Sequence, residues 1–302
     1  MITESAFEVV ARPDDQVGES PFWDAKTNCL YWVDIIGKAI RRHDFTSGKT
    51  TSWKSEDFPT AIALRQSTSG AVIALAGGVA LFDFDGGGFT KFCVPDPTEG
   101  NRLNEGRCDP SGRFWVGSMR TNLNPDGSGR EIDRHCGALF RIDTDGTVTR
   151  HTDFEFGISN TMAWSPDQKT FYFGDSLRNV IFAFDYDKDN GDLHNRRVLI
   201  EGYAHGAPDG SSIDVEGCLW NTRFGGGLII RITPDGRVDQ EIQVPVTNPT
   251  SCTFGGVDRK TLFVTSAKFT LTETQIQSNP IEGALIAVNP GCMGLEDNSF
   301  GG

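Results

Sequence analysis

The sequence predicts an all-β fold, a six-bladed β-propeller with four antiparallel strands per blade, and three observations carry the prediction. First, a polar turn followed by a short apolar strand recurs six times: WDAKTNCLYWVD at 23–34, RQSTSGAVIALAGG at 65–78, CDPSGRFWVGS at 108–118, WSPDQKTFYFGDS at 164–176, DVEGCLWNTR at 214–223 and GGVDRKTLFVTSA at 255–267. Second, another apolar strand follows every copy: GKAIRRHD, GVALFDFD, GALFRIDTDG, NVIFAFDYD, GLIIRITPDG and GALIAVNP. Third, the copies are spaced by roughly 40–55 residues, the period of propeller blades. Six copies imply six blades, so residues 1–302 are expected to form one propeller domain.

The blade at 158–200 is the clearest. Lettered from axis to rim, strand A is expected over 160–164, B over 170–174, C over 179–186 and D over 195–199. The turn SPDQ joins A to B. Adjacent strands run in opposite directions, so the loop entering A and the loop joining B to C share one face. The A–B and C–D turns share the other. Long helical periodicity is absent, and the one helical stretch is expected at 270–278, TLTETQIQS.

This geometry sorts the polar residues. Taken in order, the six strand-A entrances carry Glu19 (GESPFW), Thr60 (PTAIAL), Asn104 (RLNEGRCD), Asn160 (SNTMAW), Asp209 (PDGSSID) and Ser251 (TSCTF), which would ring one mouth of the channel. The B–C loops add Asp34, Arg120, Thr121, Asn122, Asp175, Arg223 and Lys268 to that face. Two of these loops, 119–136 and 267–282, have the length of lids or binding loops. Two carboxylates and several amides facing a narrow channel repel one another and lose hydration unless something binds them. A hard divalent cation is the natural compensation, because calcium, magnesium and manganese prefer carboxylate, amide-carbonyl and water oxygens. His205 lies near Asp209 in sequence but is expected to be an exposed loop residue.

Composition excludes several classes. A net charge of −13 argues against nucleic acid and against adsorption to anionic membranes. No apolar run approaches the ~20 residues of a membrane span, and the N-terminus has no signal-peptide pattern. Seven scattered cysteines without a CxxC pair read as reduced thiols rather than a zinc site, and the expected compartment is the cytoplasm. No GxSxG or HExxH motif occurs. The glycine runs at 85–89 and 224–228 lie between strands, without the helix that phosphate binding needs.

At these residues the chain resembles a known family, the group of senescence marker protein (regucalcin), gluconolactonase and luciferin-regenerating enzyme. The motifs are GESPFWD at 18–24, NRLNEGRCDPSGRFWVGSM at 101–119, ISNTMAWSPDQKTFYFGDS at 158–176, PDGSSIDVEGCLW at 208–220, TSCTFGG at 250–256 and EGALIAV at 282–288. They cover nearly the whole chain in the family's order. The resemblance implies one divalent metal in the channel, held by Glu19, Asn160 and Asp209. It implies sugar contacts by Arg102 and Asn104, and a position near the metal for Asp175. Where the family has a glutamate that contacts substrate, the corresponding position here is Asn122.

The expected activity is hydrolysis of a gluconolactone-like sugar lactone to the aldonic acid. Asp209 is the candidate general base and Asp175 its alternative, with calcium, zinc, manganese, magnesium or iron as the metal. A phosphotriester hydrolase and a non-catalytic calcium-binding regulator are the alternatives. Arg120 and Arg223, with Lys268, are expected to bring positive charge to the mouth, where they would suit a substrate carrying a carboxylate or sulfonate.

Overall fold

The computed structural model describes residues 2–3 and 7–302. Two strands, β1 (Ile2–Thr3) and β2 (Phe7–Ala11), precede the first blade. Blade 1 is β3 (Gly18–Asp24), β4 (Cys29–Asp34), β5 (Ala39–Asp44) and β6 (Lys49–Lys54). Blade 2 is β7 (Pro59–Leu64), β8 (Gly70–Leu75), β9 (Gly78–Asp83) and β10 (Gly88–Cys93). Blade 3 is β11 (Asn101–Cys108), β12 (Phe114–Arg120), β13 (Leu139–Ile142) and β14 (Val148–Arg150). Blade 4 is β15 (Ser159–Trp164), β16 (Thr170–Asp175), β17 (Val180–Asp187) and β18 (Asp192–Glu201). Blade 5 is β19 (Ala207–Ile213), β20 (Leu219–Phe224), β21 (Leu228–Ile232) and β22 (Val238–Gln243), and β1 adds to β22 in parallel.

Blade 6 draws on both ends of the chain. It takes β23 (Pro249–Gly255), β24 (Thr261–Ser266) and β25 (Leu285–Val288) from the C-terminal part, and β2 as its outermost strand. β2 pairs antiparallel with β25, with Phe7 opposite Val288 and Val9 opposite Ile286. This closes the ring. The sixth repeat shows only three strands in sequence because its fourth lies before the first repeat. The expected helix forms as α1 (Glu273–Ser278), with a capping box between Thr272 and Gln275.

Burial falls from axis to rim. β7 and β23 are buried along nearly their whole length, whereas β6, at the edge of blade 1, alternates and is mostly exposed. Inner strands are covered on both faces by neighbouring blades, so they read as continuous apolar runs. Outer strands keep the one-sided pattern. The repeated DxxGxxW turn has a structural cause. In blades 3 and 5 the turn aspartate accepts the indole N–H of the tryptophan on strand B: Asp109 from Trp115 at 2.9 Å and Asp214 from Trp220 at 2.9 Å. The same aspartates accept backbone N–H groups of their own turns. Each indole is fully buried, on the order of 200 Å², which contributes about 5 kcal/mol as an upper estimate.

The C-terminal tail crosses the face made by the A–B turns. Val215 N–H donates to Met293 O, Gly294 N–H to Arg259 O, Gln66 N–H to Phe300 O and Gly301 N–H to Gly112 O. Asp297 accepts from Trp23 N–H, Thr253 Oγ1 and Arg107 Nη1. The tail thereby touches five blades and covers one end of the channel. A cavity of about 100 Å³ remains beneath it, lined among others by Met162, Trp164, Arg107 and Asp297.

Candidate active site

All six innermost strands break register at the same place. The ladder shifts between Glu19 and Phe22, Pro59 and Ala61, Leu103 and Gly106, Asn160 and Met162, Pro208 and Ser211, and Pro249 and Cys252. A β-bulge re-aims the side chains beside it, and here six bulges lie around one axis. The residues after two of the candidate ligands take left-handed backbone angles, Ser20 at φ 53° and Thr161 at φ 52°. Gly210 follows the third. A Cβ there would lie 2.1 Å from Ser251 Oγ, so only glycine fits.

Hydrogen bonds tie the bulges into a ring. Ser20 Oγ accepts from Ile62 N–H, Leu103 N–H donates to Ala76 O, and Asn104 Nδ2 donates to Ser159 O. Thr161 Oγ1 donates to Asp209 O, Thr222 Oγ1 to Thr250 O, and Thr250 Oγ1 to Gly18 O. Every blade is joined to the next, so the side chains facing the axis are positioned by the whole ring.

Within this ring Glu19, Asn104, Asn160 and Asp209 are all buried. Asn160 is oriented unambiguously. Ser176 Oγ donates its proton to Pro208 O at 2.6 Å, so it can only accept from Asn160 Nδ2, at 2.9 Å. The amide oxygen of Asn160 therefore faces the other way, toward Asn104 Nδ2 at 3.2 Å. Glu19 Oε2 accepts Ser20 N–H at 3.0 Å. Asp209 Oδ1 is buried without a partner. Burial, then the charges of Asp209 and Glu105, push the Glu19 carboxyl well above its usual range. Burial, then Glu105, does the same to Asp209. Arg107 acts against the rise at Glu19 and Arg223 against that at Asp209, but burial and the neighbouring carboxylates outweigh them.

Glu105 is a buried acid beside the candidate site that sequence reasoning passed over. It follows Asn104, and strict alternation would point it away from the axis, but the bulge in β11 lies between Leu103 and Gly106. Its side chain is buried, with Oε1 free of hydrogen bonds, and Arg107 Nε lies 3.6 Å away. Arg107 in turn holds Asp297 of the tail at 3.0 Å. The presence of an acid in NRLNEGR, next to a ring asparagine, was the available signal.

Arg102 and Asn104 sit beside the ligand candidates. Arg102 Nη1 donates to Asn104 Oδ1 at 2.6 Å and to Leu103 O at 2.9 Å, while Nε and Nη2 both reach Asn122 Oδ1, at 3.2 and 2.9 Å. Asn104 thus links the arginine to Asn160.

Other expected site residues are corrected by their partners. Asp175 is fully buried, and its carboxylate accepts the backbone N–H groups of Gly157, Ile158, Leu177 and Arg178. It fastens the loops at the start of blade 4, and Arg178 Nε stands 3.5 Å from its Oδ2. Asp34 does the same in blade 1, accepting from Gln16, Val17 and Gly37. Arg223 is 1% exposed and holds the 203–206 loop through His205 O, Gly206 O and Asn179 Oδ1. It does not present a free edge to the mouth. Arg120 is tied at the rim to Asp133 and Glu99 O, and Lys268 pairs with Asp14. The seven cysteines are all free thiols. Among the described residues no helix is long and apolar enough to cross a membrane.

The donor set fits a hard divalent cation. Two buried carboxylates with raised proton affinity, one of them with an orphaned oxygen, lie with an oriented amide oxygen at the axis.

Comparison with known proteins agrees with this fold. A family model described as the SMP-30/Gluconolactonase/LRE-like region matches residues 17–268. Regucalcin of Xenopus laevis is 35% identical over 299 residues, covering 98% of each chain. A 6-deoxy-6-sulfogluconolactonase of Pseudomonas putida is 32% identical over 290 residues, covering 94% of this chain and 95% of the relative. Among solved structures, a calcium-binding regucalcin of Agrobacterium tumefaciens superposes with a TM-score of 0.89 at 28% identity, covering 99% of this chain and 98% of that one. With the motifs, the six blades and the ring of oxygen donors in register, the chain belongs to the SMP-30/gluconolactonase/LRE-like family.

Proposed function

We propose that this protein is a metal-dependent sugar lactonase that opens an aldonolactone to the free acid. The observation that carries the reading is the pair of buried carboxylates, Glu19 and Asp209, set with the Asn160 amide oxygen beside Arg102 at one end of a channel whose other end is covered. Relatives and neighbours named as lactonases support it.

Glu19, Asn160 and Asp209 would hold the cation. When bound, a divalent ion polarises the lactone carbonyl and lowers the pKa of water. Asp209 has one carboxylate oxygen without a partner, and that Oδ1 takes the proton from the attacking water. The water oxygen bonds to the carbonyl carbon, the ring C–O bond breaks, and the proton passes from Asp209 to the departing alkoxide oxygen. The product is a hydroxy acid, which ionises and releases one proton. Asn104 has both N–H groups engaged and one lone pair left for a sugar hydroxyl, so it mainly sets Arg102 against Asn160. The polar surroundings disfavour a phosphotriester substrate.

The experiment is acid release from aldonolactones by the metal-loaded protein. Turnover well above spontaneous ring opening is expected. Calcium binding with no turnover of any lactone would instead support a calcium-binding regulator, the reading that the calcium-binding neighbour favours.

A further inference from the structure

Arg107 stands between two carboxylates and is bonded to the one in the C-terminal tail. Its Nη1 donates to Asp297 Oδ1 at 3.0 Å and its Nη2 to Cys252 O of blade 6 at 2.9 Å. On the other side its Nε lies 3.6 Å from Glu105 Oε1, too far for a hydrogen bond. Both of those atoms are buried, and neither has a hydrogen-bond partner. In comparable pairs the Nε closes on its acid, to 2.6 Å in Arg113–Asp109 and 2.8 Å in Arg231–Asp214. The Glu105 pair is held open.

The tail fixes Asp297 from both sides. Before it, Gly294 N–H donates to Arg259 O and Leu295 N–H to Ile213 O. A Cβ at Gly294 would lie 1.9 Å from Phe254 Cγ, so the backbone there is seated directly on blade 6. After it, Phe300 is fully buried and its N–H donates to Leu64 O. Asp297 takes Trp23 N–H and Thr253 Oγ1 on Oδ2, which leaves Oδ1 for Arg107. The charges of Asp297 and Arg107 thus offset each other, and that of Glu105 is left over. Glu105 raises the proton affinity of both Glu19 and Asp209, and Arg107 acts against the rise at Glu19. A negative charge that favours a proton on these carboxylates also favours a metal cation held by them.

We propose that Asp297 is a positioning residue for the cation site: it holds and neutralises Arg107, so that Glu105 adds its negative charge to those of Glu19 and Asp209. The C-terminal tail, on the opposite face of the propeller, thereby sets how tightly a divalent cation is bound. The proposal rests on the cation site of the lactonase reading and is independent of the lactone.

The test is calorimetric binding of calcium to the metal-stripped protein, which needs no turnover. Glu105→Gln should weaken binding by about 10-fold or more, the size of effect that one nearby charge has on another's ionisation. Asp297→Asn keeps an oxygen for Trp23 N–H and Thr253 but leaves Arg107 to offset Glu105, and should weaken binding by about 3- to 10-fold. Adding Arg107→Met to Asp297→Asn removes the freed cation and replaces the ion pair with an apolar contact, so affinity should return to within about 2-fold of wild type. Should Asp297→Asn alone fail to fold, Glu105→Gln and the double variant decide between them. Equal weakening in Asp297→Asn and in the double variant would mean that the tail acts through its packing. Wild-type affinity in Glu105→Gln or in Asp297→Asn would mean that the charge does not reach the cation. Each of these results overturns the proposal, and no calcium binding by wild type overturns it together with the cation site. The expected shifts without turnover of any lactone would uphold the proposal and refute the lactonase.

Discussion

At the scale of the residue, the site separates two aspartates that look alike in the sequence. Asp209 and Asp175 both lie at the functional face, yet one has an orphaned oxygen and the other has four backbone N–H donors. Their substitutions should therefore differ in kind. Asp209→Asn keeps an amide oxygen near the axis but removes the base, and kcat should fall by roughly 10²–10⁴ at saturating metal. Asp175→Asn replaces a carboxylate oxygen with a donor facing backbone donors, so it should lower stability by about 1–3 kcal/mol in chemical denaturation. Its kcat at saturating metal should stay near wild type. A large kcat loss in folded Asp175→Asn would return that residue to the chemistry. The placement of Glu19, Asn160 and Asp209 at the axis was legible because a strand-A entrance fixes where a side chain starts. The partners of Arg120 and Arg223 were not legible because loop position says nothing about them; both arginines engage neutral or rim groups.

At the scale of the element, the strands follow the sequence closely. For blade 4 the predicted 160–164 and 170–174 became Ser159–Trp164 and Thr170–Asp175, and the outer strand grew from 195–199 to Asp192–Glu201. The bulges were not legible. A period-two reading assigns each residue a face and has no place for an extra one, which is why Glu105 was missed. The bulge at 208–211 makes a test of its own. Gly210→Ala would drive a methyl into Ser251, at 2.1 Å from its Oγ and 2.4 Å from its Cβ. The expected cost is about 1–3 kcal/mol of stability, with weaker metal binding because Asp209 precedes the displaced backbone. Unchanged metal affinity in a folded Gly210→Ala protein would show that the bulge does not position Asp209.

At the scale of the whole molecule, the propeller is closed by one strand from the far end of the chain. The sequence could not show this, since the apolar segment FEVVA at 7–11 carries no repeat signature by itself. Removing residues 1–11 leaves β25, buried along its length, as an open edge. The melting temperature should drop by roughly 10 °C, the effect of about 3–5 kcal/mol in a chain of this class, and the truncated protein should associate. An unchanged melt would mean that the ring closes through blade contacts alone.

The ring matters because it brings six strand starts to one axis, and the account stands on what two carboxylates do there. The most direct measurement is lactone opening, followed by acid release, in protein stripped of metal by exhaustive chelation and then reconstituted. Activity should vanish on stripping and return with an added divalent cation. The cation should also raise the melting temperature, because a ligand bound only by the folded state stabilises it by about 2.7 kcal/mol at a hundredfold excess over Kd. Full activity in metal-free protein would contradict the account.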